Sequence, residues 1–439
     1  MKTLFLTYIL LLFCSICYSQ PYVGWCVESY PEMSKAEIKK HISRQIVFGS
    51  NIVWIGHNNP GEVEYDKVEP GLSFAVYDSF ISKDKNYQIA KSIIESQYCM
   101  LDACKELDIK VVLPVGYQIQ MGKKWNKNNP LCLRMDETGK IFNAGGQSAC
   151  FYSLKYKNDI IRYYNWINDN FIKKYPNIIM INLADEPFGG DYSYYAEKEF
   201  IKKYKIPFKS VKTKFEKILL ESFHDNYIVN YAVWSSNEWN KINPNIKTTM
   251  SFCGYRYIYN KGKPNIRNLF KNTLPNFEPA FDAYFVDGPC GRKITGTDVS
   301  ALLSFIKTCS GYSGYFNKNY WLWSNANSWG IGAGTINDAI ANMYCLAASG
   351  AQKTNKLKGI VVWNYNVKGQ GLYNDMNKTS YNPDNMFISV SSEFNNIRQI
   401  LNFDYRHLSD IEISTSTPFI ISSNRYFIRY IINNEFTAN

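Results

Sequence analysis

The chain has 439 residues, 46% hydrophobic and 20% charged, with a net charge of +11. Disordered chains combine low hydrophobicity with high net charge, so an intrinsically disordered protein is excluded. The length fits two ordinary domains or one large α/β barrel, and the 16% of aromatic residues offers platforms for flat ligands.

Met1-Lys2 opens on a positive charge, an apolar run follows from Leu4 to Cys17, and Cys17-Tyr18-Ser19 precedes Gln20. A charged start, a short apolar stretch and small residues at −3 and −1 read as a secretory signal peptide, residues 1–19. Cleavage after Ser19 would leave an exported, extracellular chain. A lipoprotein needs a small residue before its cysteine, and Phe13 and Ile16 stand at those places. No later stretch approaches the ~18–20 apolar residues of a membrane span.

Lysines are scattered (Lys39, Lys40, Lys123, Lys124, Lys173, Lys174, Lys202, Lys203). That pattern reads as a solvated surface or attraction to acidic polymers rather than nucleic-acid recognition. Of 11 cysteines, Cys14 and Cys17 would leave with the signal, so an odd number remains and at least one thiol is unpaired within the chain. Cys99 and Cys104 are the one near pair in sequence. Without CxxC or a Cys/His cluster, no zinc site is expected, and no other cofactor.

Along the chain, short apolar runs alternate with longer helical segments. The runs are Tyr22–Cys26, Ile52–Gly56, Lys110–Val115, Ile178–Leu183, Lys247–Phe252, Phe281–Val286, Asn319–Trp323 and Gly359–Trp363. Continuous apolar runs suit parallel strands covered on both faces. Ser34 with Glu37 forms a capping box for a helix over Lys35–Gln45. Further helices are expected over Asn86–Leu107, Lys157–Lys174, Lys209 to about Asn240, Asp298–Thr308, Asn337–Ser349 and Ser391–Leu401. Eight strands alternating with helices predict a single (β/α)8 TIM barrel over residues 20–401, in the α/β class. A doubly wound sheet would place a Gly-rich turn after its first strand, and Val27-Glu28-Ser29-Tyr30 is not one. Long β2 (Asn58–Asp84) and β3 (Gln118–Tyr152) loops would build the active face. Residues 402–439 read as a small β-rich extension.

The most informative segment is Ile178-Ile179-Met180-Ile181-Asn182-Leu183-Ala184-Asp185-Glu186-Pro187, a buried strand ending in two carboxylates and a proline. Barrel enzymes keep catalysts at strand C-termini. Here the chain resembles retaining glycoside hydrolases of the large (β/α)8 clan that includes cellulases and β-galactosidases. In that clan the fourth strand ends in Asn-Glu, often Asn-Glu-Pro, and the Glu is the general acid/base. The resemblance assigns that role to Glu186, with Asp185 where the clan has Asn. It also implies a carbohydrate substrate and a tryptophan at the end of strand eight, which Trp363-Asn364 supplies.

The clan's nucleophile is a Glu at the end of strand seven. Tyr320-Trp321-Leu322-Trp323-Ser324-Asn325-Ala326-Asn327-Ser328-Trp329 contains no carboxylate. Retaining enzymes hold their carboxyl groups ~5–5.5 Å apart and inverting ones ~6.5–9.5 Å apart. Asp287, after Phe285-Val286, is the expected partner, with Glu28, Glu62 and Glu64 as weaker candidates. Asp287 serves equally well as a cap for the turn at Gly288-Pro289. Tyr255, Trp323 and Trp363 are candidates to stack a sugar; Asp185, His57, Asn58, Asn325 and Asn364 are candidates to bind its hydroxyls. Three readings follow. One is a secreted glycosidase, retaining or inverting, which Asp185-Glu186-Pro187 favours; the second is an inactive barrel that binds carbohydrate, which the missing strand-seven Glu favours; the third is a barrel enzyme of other chemistry, since fold alone does not fix function.

Overall fold

All eight apolar runs form parallel strands, and the strands close into a barrel in the order β1 to β8. They are β1 Tyr22–Val27, β2 Ile52–Ile55, β3 Lys110–Pro114, β4 Ile178–Asp185, β5 Lys247–Phe252, β6 Ala280–Asp282, β7 Tyr320–Asn325 and β8 Leu357–Trp363. β1 pairs with β8 through Tyr22–Gly359 to Trp25–Val362, which completes the ring. This computed structural model describes residues 20–56, 85–116, 119–121, 123–143, 147–253, 265–283, 296–326, 336–350, 356–363, 365–366, 373 and 382–402. The expected signal segment, the whole β2 loop and nearly all of the C-terminal extension lie outside the described residues.

The helices follow from local chemistry. In α1 (Lys35–Val47) the Ser34 Oγ accepts from the Glu37 N–H at 3.2 Å, and the Ser34 N–H donates to Glu37 Oε2 at 2.8 Å. α2 (Lys85–Glu106) precedes β3; the short α3 (Lys123–Asn128) lies in the β3 loop; α4 (Leu154–Ile167) runs into a π-helical turn over Asn168–Ile172.

The long helix expected from Lys209 is instead two. α5 (Tyr194–Tyr204), unforeseen, pairs with α6 (Lys214–Asp225), and α7 (Tyr227–Ile242) follows. A second capping box, Thr213 with Glu216, sets the start of α6. At the break, the Asn226 side chain donates to the Ser222 carbonyl at 2.7 Å, a local bond of the kind that competes with helix continuation. The two helices also serve different cores: Phe223 packs with Ala196 and Phe200, while Tyr231, Ala232 and Trp239 join the main core.

α8 (Ile266–Asn272), also unforeseen, precedes β6, and α9 (Gly296–Tyr315) and α10 (Ile336–Gly350) flank β7. Near the end, Ser391 closes α11 (Pro383–Ser391) rather than opening a helix, because Asn382 caps and Pro383 starts it; α12 is Phe394–Asn402. None of the described helices is long and apolar enough to cross a membrane.

Alternate strand residues point inward or outward. Outward ones meet the helices in one large core, while Cys26, Ile52, Trp54, Val112, Met180, Ala280, Trp321, Trp323 and Val361 pack inside the barrel. The Trp54 ring lies edge-on to Trp323 at 4.8 Å and to Trp321 at 6.0 Å. Gly359 makes room for this packing: a Cβ there would lie 2.4 Å from the Trp321 ring and 2.6 Å from the Tyr22 carbonyl.

The N-terminal mouth is closed by a buried ion network. Glu278, 1% exposed, accepts from Lys247 Nζ at 2.6 Å, Trp321 Nε1 at 2.7 Å and Asn319 Nδ2 at 2.9 Å. Removing Glu278 leaves the buried Trp321 indole N–H without its acceptor, while Lys247, 43% exposed, can turn to solvent. Glu278→Ala is therefore expected to cost about 1–3 kcal/mol in denaturant unfolding, with Glu278→Gln losing less because it keeps the Trp321 bond. Loss below 1 kcal/mol for the alanine variant would show that water replaces the network.

Candidate active site

β4 carries Asp185 and Glu186 to the C-terminal mouth of the barrel. Two backbone bonds fix the strand end: the Asp185 N–H donates to the Gly116 carbonyl at 3.1 Å and the Glu186 N–H to the Ser251 carbonyl at 2.8 Å. Glu186 has φ +46°, a left-handed conformation uncommon outside glycine that is concentrated at functional sites.

The Glu186 carboxylate meets two buried groups, Asp282 at the end of β6 and Cys253 just after β5. One ligand atom from each of the three lies within 4.8 Å of the others. Glu186 and Cys253 both hydrogen-bond the Asp282 side chain. Burial, and then the Glu186 and Asp185 charges, push the Asp282 carboxyl well above its usual range. Two carboxyl groups in hydrogen-bond contact in a dry site share one proton, because both cannot ionise cheaply. Asp282 is 6% exposed and Glu186 is half-buried, so Glu186 is the member that reaches a ligand.

Around the pair, Asn182 donates to Ser251 Oγ at 3.0 Å. On β7 the inward Trp323 and Asn325 are 3% and 0% exposed. Trp323 lies against Trp363 with ring centroids 5.6 Å apart. Trp323 is thus part of the barrel's floor, and the half-buried Trp363 above it is the better placed ring for a ligand. The Trp323 indole N–H is buried without a protein acceptor among the described residues.

Glu28, at the end of β1, is 1% exposed; it accepts from the Tyr30 hydroxyl, and its backbone is clamped by Asn366 through two 2.8 Å bonds. A Cβ on Gly56 would fall 2.7 Å from the Glu28 side chain. Glu28 and Asp185 both act on the Cys26 thiol, whose pKa burial and then these charges raise. The mouth therefore gathers Glu28, Asp185, Glu186 and Asp282 from β1, β4 and β6.

Of the residues expected from sequence, Asp185, Glu186, Trp323, Asn325 and Trp363 stand at this mouth. Asp287, His57, Asn58, Tyr255, Asn364, Glu62 and Glu64 lie outside the described residues. β6 ends at Asp282 rather than at Val286. Asp282 was missed because it sits in the run Phe281–Val286, which reads as strand interior, and Cys253 because a single thiol just after Lys247–Phe252 belongs to no sequence motif; a lone Asp within Ala280-Phe281-Asp282-Ala283 was the available signal. The eight described cysteines are all thiols, Cys99 and Cys104 included.

Arg134 was also missed. It is 1% exposed and donates from Nη2 to the carbonyls of Phe188 at 2.9 Å and Gly190 at 2.6 Å, bracing the segment that leaves Glu186. Its guanidinium lies 4.1 Å from the Phe142 ring centroid and 4.9 Å from that of Tyr227. Burial, and then Arg134, lower the pKa of nearby His224 to about 4. Hydrogen bonds from a charged donor are worth about 1.5–3 kcal/mol each. Arg134→Ala is expected to lose about 3 kcal/mol of stability in urea unfolding, and Arg134→Lys, a point charge without the planar fork, should recover little of it. Wild-type stability in Arg134→Ala would show that the β4 loop holds itself.

No protein-family model matches the sequence, and no curated protein does. Among solved structures the chain is similar to a β-galactosidase from Bacillus circulans sp. alkalophilus, with 14% identity and TM-score 0.58, over 87% of this chain and 57% of that one. It is similar to an endo-1,4-β-mannanase from Rhizomucor miehei, with 12% identity and TM-score 0.53, over 87% of this chain and 98% of the other. The catalytic domain of a β-amylase from Paenibacillus polymyxa aligns with 9% identity and TM-score 0.53, over 79% and 93%. The chain thus spans little more than half of that β-galactosidase. It has the (β/α)8 barrel fold that these glycosidases share.

Proposed function

We propose that the protein is an exported glycoside hydrolase that cleaves O-glycosidic bonds of a poly- or oligosaccharide, with Glu186 as general acid. The observation that carries this reading is the Glu186–Asp282 contact at the barrel mouth. A carboxyl pair whose buried member has its proton affinity raised well above the usual carboxylate range is the kind of proton store that protonation of a leaving oxygen needs. As the glycosidic C–O bond breaks, Glu186 gives its proton to the departing oxygen and the pair is left with both carboxyls ionised. Water attacking the anomeric carbon releases a proton that returns to the pair.

Hydrogen-bonded carboxyls are closer than the ~5–5.5 Å of retaining enzymes. Asp282 is therefore assigned as the group that holds Glu186's proton, and the carboxylate opposing it across the sugar is a separate group. Asp287 remains the proposed candidate for that role, and Glu28 the alternative. The half-buried Trp363 would contact the sugar, and Asn325, 0% exposed, lies beneath it.

Asn325 at the end of β7, where the resembled clan has a Glu, favours a second reading: a barrel that binds carbohydrate without cutting it. A reducing-sugar release screen over neutral and acidic polysaccharides, run beside a glycan array, separates the two. Release by wild type and not by Glu186→Gln supports the hydrolase. Glycan binding with no release by either protein selects the second reading.

A further inference from the structure

The barrel needs one helix between β4 and β5, and α7 fills that place by packing on β5. The α5–α6 hairpin is additional. It has its own small core of Ala196, Phe200 and Phe223, with Tyr204, Phe208, Leu219 and Leu220 against it.

Its surface carries a net positive charge. From Tyr194 to Asp225 the hairpin has eight lysines (198, 202, 203, 205, 209, 212, 214 and 217), all exposed, against five acids, Glu197, Glu199, Glu216, Glu221 and Asp225. Glu216 is engaged by the backbone N–H groups of Lys212 and Thr213. Among the described residues the lysines make one ion pair, Lys202 to Glu199 at a long 3.9 Å. Several lysines elsewhere are paired at close range, Lys35 with Glu106 at 2.7 Å, Lys155 with Asp159 at 2.8 Å, Lys173 with Asp169 at 2.6 Å and Lys241 with Glu238 at 2.7 Å, while single exposed lysines such as Lys140, Lys271 and Lys307 stand apart from one another in the chain. Positive charge left uncompensated on an added element points to a polyanionic partner.

We propose that this hairpin is a docking surface for an acidic polysaccharide. A membrane-surface helix sinks a continuous apolar face into the headgroup region, but the apolar side chains Leu219, Leu220 and Phe223 of α6 are turned into the hairpin's own core. The outward apolar groups are dispersed over two helices, at Tyr194 and Ile201 on α5 and Phe215 and Ile218 on α6. Tyr194, 60% exposed, carries Lys198 Nζ 4.3 Å from its ring centroid, an aromatic plane beside a cation. That suits a pyranose bearing carboxylate or sulfate. The hairpin follows directly in the chain on the segment that Arg134 ties down after Glu186. Binding here goes beyond the catalytic reading and does not require it.

The test is affinity electrophoresis of the full chain in native gels containing polygalacturonate, carboxymethyl-dextran or uncharged dextran, each referred to a polymer-free gel. Wild type and Glu186→Gln should be retarded alike by both acidic polymers, not by dextran, and less as salt rises. The quadruple variant Lys202→Glu/Lys209→Glu/Lys212→Glu/Lys214→Glu should bind about tenfold more weakly, each exposed contact being small and the set additive. Lys140→Glu/Lys271→Glu/Lys307→Glu, equally exposed but elsewhere, should stay within about twofold of wild type. Equal retardation of wild type and the quadruple variant, or equal loss in the control, overturns the proposal. Sedimentation with phosphatidylglycerol vesicles without retardation by either acidic polymer would assign the surface to anionic lipid instead.

Discussion

Glu186→Gln should lower turnover of any substrate found in the screen by about 10²–10⁴-fold, or roughly 3–5 kcal/mol of barrier, while the protein stays folded. The amide keeps a hydrogen-bond partner for Asp282, so unfolding by denaturant should change little. What disappears is the proton deliverable to a leaving oxygen. Wild-type rate should fall as pH rises past the pair's ionisation, because the shared proton is then gone. A substrate with a leaving group that departs without protonation should recover most of the lost rate in the variant. Turnover within a factor of three of wild type on an ordinary glycoside would remove Glu186 from the mechanism.

Asp282→Asn should have the largest effect on the pH dependence of stability. The folded-state pKa of Asp282 lies well above the ordinary value of 3.8, first through burial and then through Glu186 and Asp185. The folded protein therefore holds a proton that the unfolded chain releases. Its stabilising contribution is complete below the ordinary value and is lost as pH rises through the raised one. Within that window the group alone tilts stability downward by about 1.4 kcal/mol per pH unit. Asn cannot ionise, so the variant's denaturation midpoint should be flatter with pH and should overtake wild type on the alkaline side. Glu186 would also lose its carboxyl neighbour, so the alkaline limb of activity should move to lower pH. Parallel stability–pH curves for the two proteins would mean that Asp282 is not the proton holder.

The amino-acid sequence by itself determined the barrel. Continuous apolar runs such as Ile178–Leu183 and Lys247–Phe252 admit only strands buried on both faces, and the capped helical segments between them leave parallel pairing as the consistent topology. It also marked Asp185-Glu186-Pro187, because adjacent carboxylates at the end of a buried strand have no role in packing. Tertiary structure decided the rest. Asp282 reads as one residue of an apolar run until barrel closure sets β6 beside β5 and brings it to Glu186, nearly one hundred positions earlier in the chain. Arg134 reads as one more surface charge until the β3 loop folds it under the Phe188 and Gly190 carbonyls. The lysines of residues 198–217 look scattered until the α5–α6 hairpin gathers them on one added element, where they outnumber the acids and make a single long ion pair among the described residues. Periodicity and capping are local properties that a sequence states directly. Which charges share a proton, brace a loop or stay uncompensated depends on distances between residues far apart in the chain, and only the closed fold sets those.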